Sequence, residues 1–303
     1  FISTLKSILL IINYKPDAVI GFGGYPSVAP IVVAKMFNIP SIIHEQNAVI
    51  GRANKLLSKF SNVLALSFLK TNHISKIKKS IYTGNPVRTE FLEIGSSKYL
   101  LPSNNEYFYI LIYGGSLGSR FFSEHLTSVI SAIPPEIKKK IKVIQQVRKE
   151  DLDLVRKNYK INKIDAEISC YFEDISKKFK IAHLIITRSG GSSVAEILAS
   201  NRPAIFIPLP TSLDNHQYEN AKFIENNRGG WLVNQTNKSI NKLEKLINHL
   251  LQNPESLVQA SIQLKRLSDK LHKLRNNKTP AEFLSERILN TIKYNQKVVH
   301  TIC

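Results

Sequence analysis

The sequence predicts an α/β protein made of two domains, each with a parallel sheet. Three observations carry that expectation. Short apolar runs rich in β-branched residues alternate with helical stretches, the rhythm of βαβ units. Several of those runs end in small or polar residues, as parallel strands do where a ligand binds beyond their carboxyl ends. The strand, glycine-loop, helix device occurs in both halves, on either side of a polar, turn-rich stretch at residues 94–106.

The most informative stretch is residues 181–220. IAHLIIT reads as a buried strand, Arg188-Ser189-Gly190-Gly191-Ser192-Ser193 as a turn, SVAEILAS as a helix stopped by Asn201 and Pro203, and AIFIPLP as another strand. A small-residue turn into a helix presents free backbone N–H groups to an anion. Glu196 is expected in the first helical turn, where its carboxylate would accept hydrogen bonds from a sugar diol. Ser193 and Glu196 also fit a capping box, S-x-x-E, in which Glu196 serves only its own helix. The loop Asp214-Asn215-His216-Gln217 adds donors and acceptors suited to hydroxyl groups. Together these features point to a nucleotide-sugar pocket.

The chain has 303 residues, 43% hydrophobic and 21% charged, enough for two cored domains. Its net charge of +19 admits phosphorylated substrates, anionic lipid or nucleic acid. No arginine-rich tract or aromatic-basic interleaving marks a nucleic-acid groove, so no nucleic acid is expected. Cys170 and Cys303 have no metal spacing and suggest a reducing compartment. No apolar run reaches the ~20 residues needed to span a bilayer, which leaves room for a place on a membrane surface. The chain begins at Phe1, directly in a helix, and reads as lacking its beginning.

In order, residues 1–14 predict a helix, 18–21 a strand, and 27–37 a helix with Pro30 in its first turn. Residues 39–43 form the next strand, ending in His44-Glu45-Gln46-Asn47. A second His at position 48 is absent, so the zinc pattern H-E-x-x-H fails. Asn47 is the better ligand contact, or else a turn cap. Arg88 suits a diphosphate clamp, or else a surface ion pair. After the strand at 107–113, the loop Gly114-Gly115-Ser116-Leu117-Gly118-Ser119 offers Ser116 and amides to a phosphate. A dinucleotide oxidoreductase is disfavoured here. The spacing is not G-x-G-x-x-G, and the next strand ends in Gln145-Gln146 rather than an acid. Asp151 and Asp153 resemble a metal-binding D-x-D but lie in a charged helix and read as a solvated face. Phe172, in Tyr171-Phe172-Glu173-Asp174, lines a base or is plain core.

GFGGYPSVAP, HEQNAVIGRANK, GNPVRT, YGGSLGSR, the FED turn, TRSGGSSVAEI and DNHQYENA occur in this order between about Tyr14 and Gly230. Together they resemble the MurG family of UDP-N-acetylglucosamine–lipid I N-acetylglucosaminyltransferases. The resemblance implies a GT-B enzyme of two Rossmann-like domains facing a cleft, with the first incomplete. It would transfer GlcNAc from UDP-GlcNAc to the muramyl C4 hydroxyl of lipid I with inversion, forming lipid II for peptidoglycan. The family works peripherally at the cytoplasmic face of the bacterial inner membrane, so an anionic membrane surface is an expected partner. The resemblance places Asn47 and Arg88 on the donor, Ser116 on the diphosphate, and the Phe172 backbone on the uracil. Gly191, Ser192, Ser193 and Glu196 would hold diphosphate and ribose, and His216 and Gln217 the GlcNAc hydroxyls. His216 stands where some relatives carry Gln. The family's general-base His lies in a glycine-rich loop that nothing from Phe1 onward supplies, so no catalytic residue is assigned. No cofactor or metal is expected. The expected domains are residues 1–93, a linker at 94–106, a UDP-GlcNAc-binding domain at 107–280, and a C-terminal helix at 281–303 that can return onto the first. The alternatives are a non-catalytic UDP-GlcNAc-binding remnant and another sugar-nucleotide GT-B enzyme.

Overall fold

A computed structural model describes residues 2–74, 79–115, 118–236 and 238–302, with side chains through residue 295. The chain divides into two compact units, residues 1–86 with 271–303, and residues 87–270.

The first unit begins with α1 (Ile2–Tyr14), β1 (Val19–Gly21), α2 (Val28–Met36) and β2 (Ser41–Glu45). It continues with α3 (Arg52–Leu57), β3 (Val63–Leu66) and β4 (Ser80–Tyr82). Among the described residues its sheet is parallel, in the order β1-β2-β3-β4. The period-2 alternation of strands sorts the apolar side chains onto two faces. Ile43, Leu64 and Leu66 join Ile31 and Leu57 in one cluster, beneath α2 and α3. Ile42 and Ala65 point the other way and pack with Leu284 from the last helix of the chain. The strand predicted to stop at Ile43 runs on through His44 and Glu45, both fully enclosed.

The second unit begins with α4 (Thr89–Ser96), β5 (Phe108–Tyr113), α5 (Arg120–Ser131), α6 (Pro135–Lys138) and β6 (Ile141–Gln146). Next come α7 (Leu152–Ile161), β7 (Asp165–Ser169), α8 (Ile175–Ile181), β8 (Leu184–Thr187) and α9 (Gly191–Ser200). It continues through β9 (Ala204–Phe206), α10 (His216–Asn226), β10 (Gly230–Leu232) and α11 (Ser239–Gln252). α12 (Glu255–Lys273) runs across the division between the units, and α13 (Pro280–Ile302) belongs to the first. Asn276 and Asn277, both with positive φ, separate these two helices at the predicted break.

The six strands pair in parallel in the order β10-β9-β8-β5-β6-β7. One face of this sheet carries Ile110, Ile112, Val143, Ile186 and Ile205, packed with Phe122 and Leu126 of α5, Val155 of α7 and Leu243 and Ile247 of α11. Leu111 and Ile185 alternate to the opposite face and are as deeply buried. Residues 87–106, which include the stretch expected to be a linker, fold with this unit. The α4 residue Phe91 meets Phe179 of α8 edge-on, with ring centroids 4.9 Å apart. Gly95 of α4 lies so close to α9 that a Cβ would stand 1.9 Å from the Ala199 carbonyl oxygen.

Candidate nucleotide-sugar site

From β5 the chain winds through β6 and β7 on one side, then crosses to β8, β9 and β10 on the other. Strand order therefore reverses at β5 and β8, where open parallel sheets leave a crevice beyond their carboxyl ends. A cleft of about 450 Å³ lies there within the second unit. Tyr113 and Gly115 line it from the end of β5, and Gln146 from the end of β6. Tyr171, Phe172, Glu173 and Ile175 come from the turn after β7, and Gly190, Gly191, Ser192, Ser193 and Glu196 from the turn and helix after β8. Arg88, at the N-cap of α4, completes the wall.

Local chemistry explains why the backbone opens at these points. A Cβ on Gly114 would stand 2.6 Å from the Gly118 carbonyl carbon, and Gly115 has φ +86°. Only glycine permits that tight turn. After β8, Gly190 is the N-cap of α9 and has no side chain with which to satisfy the first helical amides. Those amides, with the positive end of the helix dipole, face the cleft.

This start corrects two sequence expectations. The helix begins at Gly191, not Ser193, so Ser193 is not its cap and the capping box does not form. Glu196 falls in the second turn, not the first. Capping propensity favours serine over glycine at the N-cap, but here the cap position falls earlier, on Gly190. Glu196 makes no hydrogen bond among the described residues, and burial raises its pKa to about 7, against a lowering by the positive charge of Arg88. The carboxyl is therefore poised between its two forms at neutral pH.

Arg88 places its guanidinium 5.1 Å from the centroid of Phe91, which fixes it at the mouth of the cleft. Phe172 is only half-buried and carries Lys178 Nζ 5.6 Å from its ring centroid, so it is cleft lining rather than core. His216 and Gln217 open α10, and neither lies in the cleft wall. The His216 Nδ1–H donates to the Leu213 carbonyl at 2.8 Å, which leaves Nε2 as an acceptor in the neutral ring. Gln217 accepts the Leu209 N–H on Oε1 at 3.0 Å, which leaves its amide nitrogen to donate. The Ser189 hydroxyl donates to the Gln217 carbonyl at 2.8 Å and ties this helix start to the glycine turn. Ser116 lies outside the described residues.

Asn47 belongs to the first unit. Its backbone N–H and Nδ2 both donate to Glu45 Oε1, at 2.9 and 3.1 Å. Glu45 Oε2 accepts from Gly51 N–H at 2.9 Å and from Asn54 Nδ2 at 2.8 Å, so Glu45 organises the whole loop after β2. His44 Nε2–H donates to the Gly84 carbonyl at 2.9 Å, and burial lowers its pKa. Among the described residues no three His, Cys, Asp or Glu side chains gather as a metal site.

Two residues escaped the sequence reading. Arg188 is buried, donating from Nη1 to the Ile207 and Pro208 carbonyls at 2.9 and 3.2 Å and from Nη2 to Ser119 Oγ at 2.9 Å. It thereby fastens the ends of β8 and β9 to the start of α5. Burial lowers its pKa to about 10, so it stays charged at neutral pH behind the cleft. Tyr113 is the other. Its position as the last residue of an apolar strand beside a glycine loop was the available signal.

Two parallel-sheet units, with a ligand-sized cleft at a strand-order reversal, define a class of nucleotide-binding α/β proteins. Family models narrow it: residues 1–65 match the glycosyltransferase family 28 N-terminal domain and residues 109–277 its C-terminal domain. The class is therefore a GT-B glycosyltransferase. A UDP-N-acetylglucosamine--N-acetylmuramyl-(pentapeptide) pyrophosphoryl-undecaprenol N-acetylglucosamine transferase from Granulibacter bethesdensis is 38% identical over 87% of this chain and 69% of its own length. The transferase of the same name from Rickettsia canadensis is 37% identical over 91% of this chain and 78% of its own. Among solved structures, Acinetobacter baumannii MurG matches with a TM-score of 0.68 and 26% identity, over 89% of this chain and 78% of that one. A UDP complex of Staphylococcus aureus MnaA shares the fold at 14% identity and a TM-score of 0.59, over 91% of this chain and 80% of that one. The chain belongs to the MurG family of N-acetylglucosamine transferases.

Proposed function

We propose that this chain transfers GlcNAc from UDP-GlcNAc to the muramyl C4 hydroxyl of lipid I, with inversion, yielding lipid II. The observation that carries the donor half is the open cleft of the second unit, where an uncapped helix start and a half-buried, unbonded carboxyl share one wall. The amides of Gly191, Ser192 and Ser193 meet the diphosphate, joined by Arg88 and Ser116. Glu196 accepts the ribose hydroxyls, and the backbone beside Phe172 reads the uracil. His216 Nε2 and the Gln217 amide nitrogen read the GlcNAc hydroxyls. Asn47 is a polar contact in the first unit. As UDP leaves, negative charge grows where Arg88 and a helix N-terminus already point, so the chain's own groups stabilise it.

A place on the cytoplasmic face of an anionic inner membrane belongs to the same reading. No helix among the described residues is long and apolar enough to cross a membrane. α1 nevertheless exposes Ile2, Leu5, Leu9 and Ile12, spaced along one helical face, on a chain of net charge +19. Co-sedimentation with vesicles rich in anionic lipid checks this. Salt-sensitive binding is expected, and equal binding to neutral vesicles argues against it.

The function is tested with labelled UDP-GlcNAc and a soluble lipid I analogue, in excess chelator, using this chain and one extended by its upstream reading frame. Transfer to the analogue is expected. Donor binding with no transfer by either chain would favour a binding remnant, and transfer to a different acceptor another GT-B enzyme.

A further inference from the structure

Among the polar side chains of the cleft that no step above uses, one is enclosed and unsatisfied. Tyr113 ends β5, is 5% exposed, and lines the cleft together with Ser193 and Glu196. Its ring is held by Phe179, with centroids 5.4 Å apart, and Phe179 is in turn held by Phe91. The hydroxyl is fully enclosed and makes no well-formed hydrogen bond among the described residues; the Thr187 and Ser193 hydroxyls are near enough to lower its pKa but not placed to satisfy it. An enclosed phenol without a partner forfeits the hydrogen bonds it made to water, a penalty that structures avoid unless the group has work to do. Burial raises its pKa, the charge of Glu196 raises it further, and the Thr187 and Ser193 hydroxyls oppose that rise. Tyr113 therefore remains a neutral donor throughout the working pH range, with a carboxyl acceptor within electrostatic reach.

We propose that Tyr113 is a positioning residue for the nucleotide-sugar site, its hydroxyl donating to the Glu196 carboxylate when a ribose diol enters the cleft. This rests on the reading of Glu196 as the diol acceptor. An ionised carboxylate has about four lone-pair sites, so it can accept two sugar hydroxyls and one phenol together. The protonated carboxyl must surrender one oxygen to its own proton. Donor binding then favours the ionised form, and the phenol compensates part of the desolvation that burial imposes on it. The other ionisable groups lining the cleft are Arg88 from α4 and Tyr171 and Glu173 from the turn after β7. Of these, Arg88 lowers the Glu196 pKa.

The test is calorimetric titration of the 303-residue chain with UDP-GlcNAc from pH 5.5 to 9. Its diphosphate is a diester that does not titrate near neutrality. With Glu196 at about 7 in the empty cleft, affinity should rise about tenfold between pH 6 and pH 8. Y113F keeps the ring and its packing. It should weaken binding several-fold at pH 8, where Glu196 is ionised and the bond forms in the complex, flatten the rise, and converge on wild type near pH 5.5. In an E196Q background, Y113F should change nothing further. A structural role alone would lower thermal stability and leave the profile in place, so a Y113F profile that superimposes on wild type overturns the proposal. A second ligand separates the two readings. If the 2′-deoxyuridine analogue binds wild type as well as UDP-GlcNAc does, and neither shows a pH-dependent rise, the role of Glu196 falls and that of Tyr113 with it. If wild type shows both effects but Y113F leaves them unchanged, only Tyr113 falls.

Discussion

Glu45 and Glu196 are both carboxyls near the end of a parallel strand, in the two units of one chain, and they have opposite surroundings. Glu45 ends β2 and is met by two backbone N–H groups and two asparagine side chains. Glu196 lies in the helix after β8, half-buried, and makes no hydrogen bond among the described residues. The first carboxyl serves the fold and the second is left for something that arrives later. The glycine loops differ in the same sense. In the first unit Gln46 Nε2 donates to the Phe22 carbonyl at 2.7 Å and closes the turn, whereas Gly190 leaves the start of α9 open. A polar group in a cleft is informative about binding to the degree that the chain has left it unsatisfied.

That contrast breaks most sharply in stability. E45A removes the acceptor of four donors in a closed loop, and should lower unfolding free energy by about 3 kcal/mol. Chemical denaturation checks this, and a loss under 1 kcal/mol would mean that water replaces the carboxylate. E196Q should act in the other direction in the ligand-free chain. A carboxyl whose folded pKa lies above its unfolded one favours folding most below the unfolded value, and this contribution disappears as pH rises through about 7. At pH 8 the buried charge opposes folding, so E196Q should be more stable than wild type by about 2 kcal/mol, with no difference at pH 4. The same variant should bind UDP-GlcNAc at least tenfold more weakly, the opposition of stability and function expected of a binding group. A smaller effect follows from R88A, which removes the positive charge beside Glu196. The pH at which donor affinity is half-maximal should rise, and affinity at pH 7 should fall by a few fold.

Much of this contrast was legible in the sequence. The strand, loop and helix rhythm pointed to glycine turns after β5 and β8 and placed Glu196, Arg88 and Phe172 among the candidates, all three of which line one cleft. The start of α9 was misjudged because serine is the better capping residue, while the chain uses a glycine whose lack of a side chain leaves amides open. Tyr113 carries only a weak signal, for a different reason. In FYILIY every residue suits a buried strand, and periodicity does not tell which strand lies at the order reversal. That follows from pairing between strands far apart in sequence. Glu45 is not legible as an organiser because β2 runs two residues beyond the apolar pattern, and its partners are loop N–H groups and asparagine side chains that no pattern announces.

The packing of Leu284 against Ile42 and Ala65 bears on how such a chain is made. Residues 87–270 are continuous and can condense as they leave the ribosome. The first sheet cannot do the same, because part of its lining is encoded some 240 residues downstream, on α13. During translation that face stays bare while the whole second unit is synthesised, a delay of ~10–50 s at 5–20 residues per second. Synthesis of α13, rather than emergence of the first strands, sets the moment at which the first unit becomes safe from association with its neighbours.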